Sequence, residues 1–408
     1  MILKLTAFGL ILIPLYEIIF RLFPNVTVLA GDTRSHKELM AVALALFIGL
    51  LALYQGKMKP FRNKWLLFFI GLQMVTINLM PRIPLVINNT DNSGFWVWKP
   101  MFQVLCFLLM GIALSSIEIK KRDIDKLMKI ICFVMVIQAG YVILQSMGLD
   151  QFFRAKGIGA IGDVEFAERV GVLGHPTLVS PFIAMGIPIA LYMRRFLFAV
   201  VMTLAVCLTH SQVAIGAMII SLLAYICLVR PKNFLLVFPI SLIGGITALK
   251  TGLLHINGNG RFEAWKSIIH GILNTKIEGY EGVDFSLFGH GLGSFPYLSP
   301  TVQGRLDIGA FASAHNEYLE IFWCCGIFGV VLAVMALGYI FIKGFKDTTE
   351  KLDYTRSLNI ALLCSLLVSS LCALGTFAWQ LGAHAFYTVF FVGLILNNKT
   401  GGEKCLNG

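Results

Sequence analysis

A histidine beside an amide and an acid, and two arginines in stretches with few other charges, are the residues of this chain best suited to chemistry. His315 stands in Ala314-His315-Asn316-Glu317-Tyr318-Leu319-Glu320. An imidazole takes up and returns a proton near neutral pH. Asn316 and Glu317 are candidates to orient it, although two positions apart on one helix His315 and Glu317 do not face each other. Arg169 lies in Glu168-Arg169-Val170-Gly171-Val172-Leu173-Gly174-His175-Pro176, and Arg261 in Gly260-Arg261-Phe262-Glu263-Ala264-Trp265, at the expected start of a short helix. A guanidinium presents a planar fork of donors that matches phosphate oxygens. A base that deprotonates a hydroxyl, with cations that stabilise charge on a departing phosphate, is equipment for transfer from a phosphate-activated donor. The plainer alternatives are salt bridges to Glu168 and Glu263, or arginines reaching to lipid headgroups. His175, His210, His255, His270, His290 and His384 compete with His315, and spacing does not choose among them.

Other chemistries find less support. No Gly-x-x-x-x-Gly-Lys-Ser/Thr loop is present. Asp123-Ile124-Asp125 has the spacing of a metal-diphosphate motif but reads as a solvated helix face in a basic loop, and Asp32 is isolated. No group of acids points to a metal, so none is expected, nor any cofactor. The nine cysteines mostly sit inside apolar runs and read as small fillers of helix interfaces rather than as a disulfide framework.

The elements that must carry these residues are membrane helices. Of 408 residues, 57% are hydrophobic and 13% charged, and mean hydropathy is +0.79. Soluble domains carry about 25% charged residues. A disordered chain, a coiled coil, a secreted disulfide scaffold and an ordinary cytosolic enzyme are thereby excluded. Apolar runs near the length that crosses a bilayer, about 20 residues, occur near 3–20, 39–55, 65–80, 98–117, 127–147, 176–193, 195–209, 212–229, 234–250, 318–342, 357–374 and 376–396. This makes an all-α polytopic membrane protein of about 12 transmembrane helices, one membrane domain over 1–408.

The net charge of +11 is largely a topology signal. Lys57, Lys59, Arg62 and Lys64, then Lys120, Lys121, Arg122, Lys126 and Lys129, then Arg194 and Arg195, Arg230 and Lys232, Lys343, Lys346, Lys351 and Arg356, and finally Lys399 and Lys404 fall in alternate short connections and the C-terminal tail. By the positive-inside rule these connections and both termini are cytoplasmic. The opposite side carries Trp96 and Trp98 at the level of an aromatic belt, a large loop over 251–316 and a second over 148–175. The first apolar run lacks a cleavage pattern and is expected to be retained. Arg169 and Arg261 lie on the side that the rule depletes of basic residues.

Three blocks of the second half resemble the O-antigen ligase and polymerase superfamily of bacterial membrane glycosyltransferases. They are Arg169 to Pro176, Gly260 to Trp265, and Phe288-Gly289-His290-Gly291-Leu292-Gly293-Ser294-Phe295 with the His315 segment that follows. The most specific is His315-Asn316, nine residues, then Gly326-Ile327-Phe328-Gly329, similar to the His, amide, nine-residue, Gly-x-x-Gly pattern of the ligases. His175-Pro176 stands where that family often has Asn-Pro. Polymerases often place Gly eleven positions after each outer-loop arginine; here Ser180 and Ile272 occupy those positions, which favours the ligase side. The resemblance implies a GT-C-like architecture in the bacterial inner membrane with a periplasmic active site. It implies transfer of glycan from undecaprenyl diphosphate to a sugar hydroxyl of lipid A–core, metal-independent and with inversion. His315 would be the base, Arg169 and Arg261 the diphosphate ligands, and Asn316, Glu317, Trp265, Gly326 and Gly329 supporting residues. The partners are the lipid-linked donor, the lipid A–core acceptor and membrane lipids, with no nucleic acid. A polymerase using a second lipid-linked repeat, and a twelve-helix flippase or other transporter, are the alternative readings.

Overall fold

The structure is a computed structural model. It describes residues 1–21, 33–58, 93–149, 175–230, 261–274, 284–292, 294–295, 313–350 and 353–397, with Phe68, Gly71, Gly171 and Leu173 as isolated positions. Every element among them is helical. In chain order they are α1 (Ile2–Arg21), α2 (Thr33–Tyr54), α3 (Ser93–Ser116), α4 (Lys121–Ser146), α5 (Pro176–Tyr192), α6 (Phe196–Leu208), α7 (Gln212–Val229), α8 (Arg261–Asn274), the single turn α9 (Phe285–Phe288), α10 (Glu317–Glu350), α11 (Asp353–Cys372) and α12 (Gly382–Leu396). A short 3₁₀ turn, Ala378–Gln380, precedes α12. Five of these helices contain stretches long and apolar enough to cross a membrane: Lys37–Tyr54, Lys121–Ser146, Gln212–Val229, Glu317–Thr349 and Tyr354–Cys372. Shorter apolar helices cover Ile2–Tyr16, Pro100–Ser116, Pro176–Tyr192, Phe196–Leu208 and Gly382–Leu396. The expected spans at 65–80 and 234–250 lie outside the described residues apart from Phe68 and Gly71.

Burial explains the arrangement. Helix α5 is apolar all round and buried along most of its length, the pattern of a helix enclosed by others. It packs against α4, α6, α7 and α11, while α12 lies against α1, α2, α3, α10 and α11. Pro181 and Pro188 each remove a backbone donor inside α5. Hydroxyls and amides then turn to carbonyls of neighbouring helices: Ser365 donates to Met185 at 2.8 Å, Ser221 to Cys364 at 2.9 Å, and Asn397 to Leu114 and Ile117 at 2.8 Å each. Inside lipid such bonds stabilise helix contacts that apolar packing alone drives weakly. Large apolar side chains such as Phe47, Phe133, Phe196 and Val334 remain exposed on the outer surfaces, compatible with a multi-pass membrane protein. None of the described cysteines is in a disulfide, and most are buried.

Several boundaries differ from expectation, α2 and α3 starting five or six residues early at Thr33 and Ser93. Helix α4 begins at Lys121, so Lys121, Arg122, Lys126 and Lys129 ride on its first turns rather than in a loop. On the same turns Asp123 lies 4.0 Å from Lys126, whereas Asp125 is not simply solvated: it accepts from Tyr192 at 3.3 Å and Tyr354 at 3.0 Å, tying α4 to α5 and α11. Helix α10 runs to Glu350, with a break at Gly326. The last expected span, 376–396, is helical only from Gly382, because residues 373–381 form a turn.

Candidate functional site

The turn at 373–381 is where the expected site residues gather. Arg261 opens α8, and its Nη1 donates to the Gly375 carbonyl at 2.9 Å. One turn along, Trp265 Nε1 donates to the Ala314 carbonyl at 2.9 Å, pinning α8 to the backbone beside His315. The His315 ring packs against Phe377, with centroids 5.1 Å apart. The Glu317 amide donates to Ala373 at 2.9 Å, and its Oε1 accepts from the Trp379 amide at 2.8 Å and the Gln380 amide at 3.3 Å. Its Oε2 accepts from Gln380 Nε2 at 3.2 Å. Arg261, His315 and Glu317 thus all touch a stretch of eight residues, 373–380, that lies between two buried helices.

Each side chain has a definite local task. Asn316 caps α10: its Oδ1 accepts from the Tyr318 amide at 3.0 Å and the Leu319 amide at 3.1 Å. Glu320 ties down the preceding loop, its Oε2 accepting from Ser313 Oγ at 3.1 Å and the Ala314 amide at 3.2 Å. Ser313 Oγ in turn accepts from the His315 amide at 3.3 Å. His315 has φ +48, the left-handed region. A non-glycine residue there costs about 1 kcal/mol or more and persists only where its surroundings enforce it. The Glu320–Ser313 anchor and the Asn316 cap supply that enforcement. Among the described residues Arg261 forms no ion pair, so the alternative reading of a bridge to Glu263 is not met. Partial burial lowers the Arg261 pKa without threatening its charge, and a guanidinium with one N–H on Gly375 retains further donors.

The Gly-x-x-Gly segment has a structural reason. At Gly326 φ is +64 and ψ −171, which interrupts α10. Helical carbonyls of Trp323 and Cys324 instead accept from the amides of His290 and Gly291, at 2.8 Å each. A Cβ on Gly326 would lie 2.2 Å from the Leu287 carbonyl oxygen, and one on Gly289 2.3 Å from the Cys324 carbonyl carbon. The two glycine segments therefore meet backbone to backbone. Gly329 lies buried one turn further along α10. His290 is sandwiched between Phe285, 4.7 Å between centroids, and Trp323, 4.3 Å. Burial pushes its pKa down to about 4, partly opposed by its bond to the Trp323 carbonyl, so at neutral pH it is an uncharged packing element.

The other histidines separate by position. His384 is fully buried, with Nε2 on the Leu178 carbonyl at 2.7 Å. His210 lies in the α6–α7 turn and His270 on the exposed face of α8. His175 caps α5: Nδ1 accepts from the Thr177 amide at 3.2 Å and meets Thr177 Oγ1 at 2.7 Å. Partial desolvation first, and then the positive charge of Arg261, hold its pKa below the usual imidazole value. The start of α5 thus comes close enough to Arg261 to feel its field. Arg169 and His255 lie outside the described residues. Gly171, two positions after Arg169, is fixed by a 2.7 Å bond from its amide to Gln145 Oε1.

Sequence spacing pointed to neither Glu320 nor the 373–381 turn. A signal for the turn was present: spans ending at 374 and starting at 376 leave only Gly375 as connector, whereas helix-to-helix connections need about 2–8 residues. Among the described residues no three His, Cys, Asp or Glu side chains gather where they could share a metal ion. The geometry defines a class, an all-helical protein with several bilayer-length helices and a polar cluster at one end of the bundle. No family model matches the chain, and no characterised protein matches it significantly.

Proposed function

We propose that the chain is an O-antigen-ligase-like glycosyltransferase with a twelve-span, GT-C-like architecture in the bacterial inner membrane and its site on the periplasmic side. Glycan passes from undecaprenyl diphosphate to a sugar hydroxyl of lipid A–core. The acceptor oxygen attacks the anomeric carbon, the bond from that carbon to the diphosphate oxygen breaks, and His315 takes the hydroxyl proton. Attack opposite the leaving group inverts the anomeric centre. Arg261 and Arg169 stabilise the charge on the departing diphosphate. A diphosphate leaves without an acid, so no metal or cofactor is called for.

The observation that supports this reading is the meeting of the Arg261 and His315 segments over one turn, with Trp265 bonded to Ala314 between them. A cation for a leaving phosphate and a base for an incoming hydroxyl belong on neighbouring supports in a single displacement. The test is complementation of a deletion strain. His315→Ala and Arg261→Ala should reach the membrane at wild-type levels yet attach no polymer to the core; normal attachment by His315→Ala removes the base. Core bearing a single repeat in the deletion strain would identify the alternative, a polymerase. Transport of labelled substrate by purified protein without a covalent product would identify a flippase or other transporter.

A further inference from the structure

A cleft of about 450 Å³ lies between α1, α4 and α6, far in sequence from the outer site. Its walls include Ile11 and Leu15 from α1, Phe133 and Val134 from α4, and Phe198 from α6. Two cations also line it, Lys129 and Arg195, the latter with its guanidinium over the Phe198 ring, 5.9 Å from the centroid. Both are exposed, and among the described residues neither is in an ion pair. Among the described residues that line the cleft the surface is apolar, the charge is positive and none is acidic.

The charge is confined to one end. Gln138 Nε2 donates to the Pro14 carbonyl at 2.8 Å, which levels Leu15 with the middle of α4. From that level back to Lys129 is nine residues of α4, about 13 Å along the axis. Arg195 marks the same end, in the short connection between α5 and α6. One leaflet of hydrocarbon is about 15 Å deep, half of the bilayer core. The cleft therefore has the dimensions and polarity gradient of one lipid in one leaflet.

We propose that this cleft is a binding site for an anionic glycerophospholipid, with its phosphate against Lys129 and Arg195 and an acyl chain along Ile11, Leu15, Phe133 and Phe198. The charge pattern of the connections makes this the cytoplasmic leaflet. The site is separate from the glycan-transfer reading and stands without it. A phospholipid suits the cleft better than free phosphate, because most of the lining is apolar and contributes only if a chain fills it. Each cation near an anionic surface contributes about fivefold in relative affinity, and the pair roughly thirtyfold.

The test uses the full chain in phosphatidylcholine nanodiscs with and without phosphatidylglycerol, bound lipid being counted by native mass spectrometry. The wild type should retain phosphatidylglycerol over phosphatidylcholine. Lys129→Gln with Arg195→Gln should weaken that preference roughly thirtyfold, whereas Lys57→Gln with Lys120→Gln, exposed cations outside the cleft, should leave it unchanged. Ile11→Trp, at a position 40% exposed, fills the cleft while keeping both cations, and should also displace the lipid. It decides the matter if the charge variant does not fold. Retention of phosphatidylglycerol by either cleft variant overturns the proposal, as does equal loss in the Lys57/Lys120 variant. Competition by inorganic phosphate at the same strength would show an anion site without a lipid and would equally overturn it.

Discussion

Replacing Gly326 by alanine strikes the contact on which the start of α10 is built. At φ +64 and ψ −171 the backbone is in a region that essentially only glycine occupies, costing other residues about 1–3 kcal/mol. The new Cβ would sit 2.2 Å from Leu287 O, 2.3 Å from Leu287 C and 2.5 Å from Phe288 N. Those are backbone atoms, so the segments must part by roughly an ångström to regain ordinary contact near ~3.5 Å. Parting them weakens the His290–Trp323 and Gly291–Cys324 bonds, each worth about 1 kcal/mol. Together these terms give a loss of about 3–5 kcal/mol, concentrated where α9 meets α10. Thiol labelling reads it directly, because Cys324 and Cys325 are 3% and 0% exposed at this contact. In a Cys207→Ser, Cys227→Ser, Cys405→Ser background, Gly326→Ala should expose them to a thiol reagent and lower the thermal midpoint. Gly338→Ala, in the same helix with nothing within 4 Å of its added Cβ, should do neither. If Gly326→Ala melts like the parent with both thiols still protected, the backbone contact is not what holds the segment.

Three further outcomes follow from neighbouring geometry. His290 has a folded-state pKa near 4 against an ordinary 6.5, so the unfolded chain binds more protons between these values and stability falls on acidification through that window. His290→Phe, which keeps the stack and removes a ring nitrogen left without a partner, should fold and flatten that part of the stability–pH profile; an unchanged profile refutes the assignment. Glu320→Ala releases Ser313 and Ala314 and should cut polymer attachment at least tenfold at normal membrane levels, whereas Glu320→Gln, which keeps one acceptor oxygen, should recover part of it; full activity of the alanine variant would deny Glu320 its positioning role. Arg261→Lys preserves the charge but loses the planar fork, and an attachment rate down by about 10² is expected, measured as core-linked polymer over time.

Regular periodicity reached the membrane helices well. The run at 212–229 coincides with α7, and Arg261 does open a helix. Gly326 and Gly329 stood out by their spacing, and at Gly326 that glycine answers a positive φ and a backbone contact that a Cβ would block. The cap at Asn316 was also within reach, since an amide residue directly before a helix start is a local signal. What stayed hidden depends on distance along the chain. Glu317 reaches Trp379 and Gln380 across more than sixty residues, and Arg261 reaches Gly375 across more than a hundred. Apolarity also misled: Thr376, Phe377, Ala378 and Trp379 look like the start of a span, but their backbone is a turn in which the Trp379 amide donates to Glu317 and the Thr376 hydroxyl donates back to the Cys372 carbonyl. Hydropathy records side chains and is blind to that backbone.

The 373–381 turn has a mechanical consequence. Arg261 is carried by α8 and His315 by the loop before α10, yet each touches the junction of α11 and α12, at Gly375 and at Phe377. Helices of fixed length answer a thicker or thinner bilayer by tilting. A tilt of the α11–α12 pair therefore acts on both supports through one turn, rather than on each through a different contact. A change in bilayer thickness thus reaches the arginine and the histidine segments through a shared contact.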